Sequence, residues 1–415
     1  MKLCLLGDTH FGCRNDALSF HDYFEKFYQE VFFPYLDEHK IDTVVQFGDL
    51  FDRRKYINFV TLSRSRQYFF DELQKRNIQL HVFVGNHDTF YKNTNIVNSP
   101  DLLLKDYDNI SIYDEHVERS FDGLDIALLP WVNSSNYQES IDFIENTRAQ
   151  VLFGHLELAG FEMYRGAFND HGMSADLFRK FDIVATGHYH HKSSRGNIHY
   201  LGTPYEMTWS DFQDTRGFHI LDTNTREMEF IQNPHRMFNK IHYMDADKTM
   251  DQVLDIDLEQ YKNTFVKVIV QNKTNPYWFD LFIDRLEKNG VIDLQVVEDH
   301  FNLNLEDDED IVNEAEDTLT ILRKVVEQVD SGSVPKKELD NFLSSLYTEA
   351  LYVEWYMTFD VWFNEVEGYA IRSERFYEDL DFYRGDNPQV VLRWLKAAYE
   401  VGYKHGQLPL MDDGK

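Results

Sequence analysis

Five times within its first 190 residues, the chain follows a short apolar run with glycine and then Asp, Asn or His. The segments are Gly7-Asp8-Thr9-His10, Gly48-Asp49-Leu50-Phe51-Asp52, Gly85-Asn86-His87-Asp88, Gly154-His155 and Gly187-His188-Tyr189-His190. The runs before them, residues 2–6, 43–47, 79–84, 151–153 and 183–185, read as strands, as do 126–129, 198–201, 218–221 and 228–231. Between strands, residues such as Phe20, Phe24, Phe27, Tyr28 and Val31 recur at the spacing of a helix with one buried face. Alternating strands and helices predict a layered α/β domain. The polar residues then stand just past the carboxyl ends of strands, where open α/β sheets assemble their sites. Glycine permits the tight turn that brings backbone and side chain close to a ligand.

These residue types suit one kind of chemistry. Phosphodiester hydrolysis needs an activated water, neutralised phosphate oxygens and help for the leaving oxygen. Two metal ions about 3.5–4 Å apart supply all three. Asp8, His10, Asp49, Asn86, His155, His188 and His190 make seven ligands of suitable type, and a shared carboxylate would set the separation of the ions. A set of imidazole, carboxylate and amide oxygen without thiolate favours Mn²⁺ or Fe²⁺ over a structural zinc site. His87 is left without a metal role and is read as the group that protonates the leaving oxygen, with Asp88 beside it as orienting partner. Singly, each segment has a plainer reading: Asp-x-His caps loops, Gly-Asp makes turns, and His188 and His190 adjoin the solvated His191 and Lys192. The conjunction, in order and all at strand ends, carries the inference.

The rest of the chain divides by pattern. Residues 1–240 form the α/β domain. Residues 241–304 hold a small β-α-β unit in which Asn275-Pro276 opens a helix and Gly290 follows its end. An acidic run at 306–310 precedes two amphipathic stretches, a helical hairpin over 305–351, and residues 352–415 are an aromatic-rich extension. No apolar stretch is long enough to span a membrane, and Cys4 and Cys13 form no CxxC pair, so the expectation is a reducing cytoplasm. The formal charge of −31 repels a polyanion. A nucleic-acid substrate would therefore have to be held by bound metal, a local basic patch or a partner, and Arg53-Arg54-Lys55 is the best local patch.

The order D-x-H, GD-x-x-D, GNHD, GH and GHxH resembles the calcineurin-like metallophosphoesterase superfamily. Within it, the Gly-Asp-Leu-Phe-Asp form of the second motif and Leu201-Gly202-Thr203-Pro204-Tyr205-Glu206 are similar to the SbcD/Mre-type nuclease subunits, notably those of bacteriophages. The resemblance implies a four-layer α-β-β-α sandwich, a small α+β capping domain and C-terminal helical segments. It implies one metal on Asp8, His10, Asp49 and His190 and another on Asp49, Asn86, His155 and His188, most simply Mn²⁺, with His87 as the catalytic histidine. Archaeal and eukaryotic relatives place His where this chain has Asp52, to which we assign support of a ligand. The implied activity is exonuclease and endonuclease action at DNA ends, in the host cytoplasm if the chain is phage-encoded. No P-loop pattern occurs, so the implied SbcC/Rad-type ATPase is a separate subunit. The 305–351 hairpin is its candidate docking site, the alternative being that the hairpin packs on the cap. Homodimerisation is also implied, with apolar residues near 20–33 or 60–70 as the interface unless they are core. The competing reading keeps the site but gives it a small phosphodiester or phosphoprotein. Protein phosphatases of this class read GDxVDRG and GNHE, which this chain does not match.

Overall fold

The computed structural model describes residues 1–298 apart from 165, 166, 170 and 171, so the 305–351 hairpin and the 352–415 extension lie outside the described residues. The first four strands, β1 (Lys2–Leu6), β2 (Thr43–Gln46), β3 (Gln79–Phe83) and β4 (Ile110–Tyr113), pair in parallel in that order. The chain then builds a second sheet. It contains β5 (Val117–Phe121), β6 (Leu124–Leu129) and β7 (Val151–His155). After a ribbon of β8 (Glu162–Tyr164) and β9 (Ala167–Phe168) come β10 (Ile183–Gly187), β11 (Ser193–Arg195) and β12 (Ile198–Tyr200). The order in that sheet is β11-β12-β10-β7-β6-β5. Only then does the chain return to the first sheet, laying β13 (Gly217–Asp222) antiparallel to β1 and β14 (Met228–Gln232) beside it.

Alternation along each strand explains the layering. In β1, Leu3 and Leu5 face the second sheet while Cys4 and Leu6 face helices, and in β6 Ile126 and Leu128 face inward while Ala127 and Leu129 face outward. Both faces of both sheets are covered, which is why these strands read as nearly continuous apolar runs. One outer layer is Leu18–Phe27, a π-helical turn Tyr28–Phe32, and Phe33–His39, packed beside Phe59–Ser65, a second π-turn Arg66–Phe70, and Asp71–Lys75. The rings of Tyr28 and Tyr68, one from each π-turn, stack at 5.7 Å. The other outer layer includes Tyr137–Asn146. Phe20, Phe24, Phe27, Tyr28, Phe32 and Phe33 are buried, as are Tyr68, Phe69 and Phe70. Core packing therefore occupies the residues that stood as an alternative dimer interface, and of that stretch Val60 stays exposed.

The small unit is a parallel sheet of β15 (Phe238–Met244), β16 (Phe265–Asn272) and β17 (Asp293–Glu298). Its helix, Pro276–Lys288, is capped by the Asn275 side chain, which accepts from the Trp278 amide, and buries Phe279, Phe282 and Leu286. Glu206 joins the unit to the sandwich: its buried carboxylate accepts from the amides of Met237 (2.7 Å) and Phe238 (3.0 Å).

Candidate metal centre

The five glycine turns meet at the carboxyl ends of β1, β2 and β3 on one sheet and of β7 and β10 on the other. Donor atoms of Asp8, His10 and His190 lie within 4.8 Å of one another, and so do those of Asp49, His155 and His188. In the first cluster, His10 Nε2 and His190 Nε2 stand 3.0 Å apart. In the second, Asn86 Oδ1 is 2.9 Å from His155 Nε2 and 2.8 Å from His188 Nδ1. Asp49 lies between them, its Oδ2 3.7 Å from His10 Nε2 and 3.5 Å from His155 Nε2. All seven residues singled out as ligands are thus brought together.

Backbone strain accompanies this convergence. His10 (φ 42°), Asp49 (φ 50°) and His188 (φ 89°) occupy the left-handed region, which costs non-glycine residues of order 1–3 kcal/mol each. The glycines make room for ligands of other turns. A Cβ on Gly85 would stand 2.3 Å from Asp49 Oδ1, and one on Gly187 2.3 Å from Asp8 Oδ1. At Gly48, Gly85 and Gly187 the glycine before the polar residue is therefore a packing requirement of the cluster, since a Cβ there would strike His155, Asp49 or Asp8.

The remaining expected residues separate. His87 sits beside the first cluster, its ring 4.9 Å from that of His10. Its Nδ1 is 2.6 Å from the Asp52 carbonyl and its backbone amide donates to Asp49 Oδ1 at 2.7 Å. Asp88 does not orient it. The Asp88 carboxylate is fully buried and accepts from the amides of Gly85 (2.8 Å), Leu50 (3.0 Å) and Phe51 (3.3 Å), clamping one ligand turn to the next. Asp52 Oδ1 is 3.2 Å from His10 Nδ1, leaving Nε2 of that ring to the cluster. Of the basic triplet, Arg53 is spent on Asp16, Asn15 and Tyr56. Lys55 is exposed. Arg54 is half-buried, and its Nη1 is enclosed without a hydrogen-bond partner.

Sequence reasoning missed several supports. Gln46 makes both bonds with the Gly48 backbone, the Tyr205 hydroxyl donates to the Thr9 carbonyl at 2.7 Å, and Arg216 donates to the His190 carbonyl. A glutamine between Val45 and Phe47 in an apolar strand was the available signal for the first. The Trp131 ring lies 5.1 Å from that of His188.

The electrostatics of the cluster call for cations. Burial and the nearby Asp49 push Asp8 up to about 7. Burial works against charge on His10 and His155, but the Asp52 and Asp49 carboxylates outweigh it and raise both to about 9. His188 is pulled down to about 3 by burial and by His155. Two buried carboxylates are thus balanced by protons on imidazoles, a balance that divalent ions supply when they displace those protons. Opposed Nε2 atoms at 3.0 Å share at most one proton, whereas a bound cation takes both lone pairs. The donors present fit metal, and hard oxygen with imidazole suits ions of the Mn²⁺ and Fe²⁺ type.

Donors shared by two clusters across a pair of stacked sheets are the architecture of a metal-dependent phosphoester hydrolase. The calcineurin-like phosphoesterase family model matches residues 1–192. The chain is 33% identical over 356 residues to Exonuclease subunit 1 of Enterobacteria phage T4, covering 84% of this chain and 99% of the phage protein. Among solved structures, an archaeal phosphodiesterase matches with 14% identity and a TM-score of 0.29, over 56% of this chain and all (100%) of the other. A dimetal phosphatase from Danio rerio matches with 14% identity and a TM-score of 0.32, over 56% and 95% of the two chains. The chain belongs to the calcineurin-like phosphoesterases. It is a hydrolase of phosphodiester bonds, and its family works with divalent metal ions. Among the described residues, no helix is long and apolar enough to cross a membrane.

Proposed function

We propose that this chain is the Mn²⁺-dependent nuclease subunit of a DNA-end-processing complex, cutting DNA as exonuclease and endonuclease in a host cytoplasm. The observation that carries the two-ion reading is the position of Asp49 Oδ2 between the two clusters. Asp8, His10, Asp49 and His190 would hold one ion, and Asp49, Asn86, His155 and His188 the other. Bound there, the ions supply the activated water and neutralise phosphate oxygens. The DNA substrate and a partner are supported by the name of the phage relative, an exonuclease subunit aligned over nearly its whole length. In this reading the partner is a separate SbcC/Rad-type ATPase, and the active form is a homodimer.

The chain's own groups divide the remaining work. The Asp52 carbonyl accepts a hydrogen bond from His87 Nδ1–H and fixes the ring, so that in the protonated imidazole Nε2–H is the donor that passes its proton to the leaving oxygen. The Asp52 carboxylate orients His10. Arg54, with an unpartnered Nη1 close enough for its charge to be felt by Asp49, receives a phosphate oxygen.

The test is digestion of end-labelled linear duplex DNA with Mn²⁺. His87→Ala and a chelator should each abolish cleavage by folded protein. A wild type that hydrolyses a small phosphodiester but leaves DNA intact, with and without the ATPase subunit, would assign the site to a small or protein substrate.

A further inference from the structure

Directly after the ligand turn Gly85–Asp88, the chain makes a short projecting loop, residues 89–98. Its base is tied down with unusual thoroughness. Thr89 bridges to Asn98, the Phe90 amide donates to the Val97 carbonyl at 2.9 Å, and the Ser99 amide donates to the Asp88 carbonyl at 2.8 Å. Two buried asparagines complete the anchorage. Asn98 Nδ2 donates to the Asn95 carbonyl, and Asn95 Nδ2 donates to the carbonyls of Asp114 and Trp131. Trp131 in turn lies against the His188 ring, so the loop is braced to the site from both ends.

What this base presents is apolar. Phe90, Tyr91, Ile96 and Val97 are 41%, 52%, 80% and 37% exposed, and the two aromatic rings meet edge to face at 4.8 Å. Exposed apolar side chains grouped on one well-anchored loop mark an interaction surface. Tyr91 follows Asn86 by five residues, a reach of at most about 18 Å. The surface is also electrically unlike the rest of the chain: from residue 89 to 100 there is no carboxylate and one cation, Lys92, in a chain of net charge −31. A strongly acidic protein gains little from phosphate contacts at long range, but an aromatic face stacks bases whatever their sequence, because every base has a π-face.

We propose that Phe90 and Tyr91, flanked by Ile96, form a stacking platform for unpaired nucleobases a few nucleotides from the bond being cut. This rests on nucleic acid being the substrate. The platform holds a single-stranded end by its bases while the metal centre receives its phosphate, so the loop selects frayed or single-stranded ends over intact duplex.

The experiment uses the full chain and a fluorescein-labelled single-stranded oligodeoxythymidylate, with binding read by anisotropy in EDTA. Phe90→Ala/Tyr91→Ala should weaken binding about ten- to a hundredfold, the loss of one or two stacked bases. Phe90→Trp/Tyr91→Trp should restore it. Turnover of bis-p-nitrophenyl phosphate with Mn²⁺ should be unchanged in both, which also reports an intact fold. Unchanged oligonucleotide affinity in a double-alanine variant that still cuts DNA overturns the platform and leaves the nuclease standing. The same result with lost self-association or lost binding of the ATPase subunit overturns it in favour of a protein interface. A wild type that hydrolyses the small ester but neither binds nor cuts DNA overturns the platform together with the reading beneath it.

Discussion

Replacing Asp88 by Asn separates two accounts of this residue that predict opposite signatures. As an orienter of His87 it would matter for turnover and little for folding. The structure instead shows a buried carboxylate taking three backbone amides, two from the Asp49 turn and one from the Asn86 turn. In Asp88→Asn the amide oxygen can keep Leu50 and Phe51, but its NH₂ then faces the Gly85 N–H where an acceptor stood at 2.8 Å. One hydrogen bond is lost and buried donors are left unpaired, together about 2–4 kcal/mol. At ~2–4 °C per kcal/mol for a domain of this order, Tm should fall by roughly 5–15 °C. Burial and Asp49 push the Asp88 carboxyl up to about 7, so the comparison belongs at pH 8.5, where the wild-type group is ionised. Scanning calorimetry in EDTA removes any contribution from metal affinity. A Tm within about 1 °C of wild type, with turnover lost, would refute the clamp and return Asp88 to the catalytic apparatus.

Three further outcomes are expected. Gly187→Ala changes no ligand, yet its Cβ must displace Asp8 Oδ1, so titration calorimetry should show Mn²⁺ affinity reduced at least tenfold. Arg54→Ala should raise KM several-fold for a phosphodiester substrate, a small one included, whereas Arg53→Ala, which breaks the Asp16 ion pair, should cost stability more than binding. His219, buried against Phe230, is pulled down to about 3 by burial and by Lys192. Below about 6.5 the unfolded chain takes up a proton that the folded chain refuses until about 3, so stability falls as pH falls through that window, by at most about 1.4 kcal/mol per pH unit. His219→Leu should flatten that limb of a Tm-against-pH curve, and an unchanged slope would exclude the residue.

The strands that carry ligands were legible because burial on both faces makes them short apolar runs, and because glycine must precede a ligand wherever two turns crowd. The 276–288 helix was legible from its caps and from Trp278, Leu281, Phe282 and Leu286 falling on one side. Other elements left weaker marks. β5, Val-Glu-Arg-Ser-Phe, is an edge strand whose middle three residues face solvent, so it lacks an apolar pattern. β15 is likewise an edge strand, and its polar Asn239 and Lys240 hide the alternation. The π-turn at Tyr28–Phe32 shifts the helix phase so that Tyr28, Phe32 and Phe33 are all buried, which a period of 3.6 does not foresee. The role of Asp88 was misread because adjacency to His87 in sequence says nothing of direction. Its side chain turns back to the amides beneath the turn.

The chain's route through its sheets has a consequence for synthesis. Candidate ligands run from Asp8 to His190, and β13, which flanks β1, arrives only after the second sheet is complete. A ribosome-bound chain that has emerged only through β4 carries Asp8, His10, Asp49, Asn86 and His87 but none of the second sheet's histidines. It cannot assemble either cluster. Both candidate metal sites therefore form together, only once the second sheet has been made, and a chain that stops short of His155 has neither.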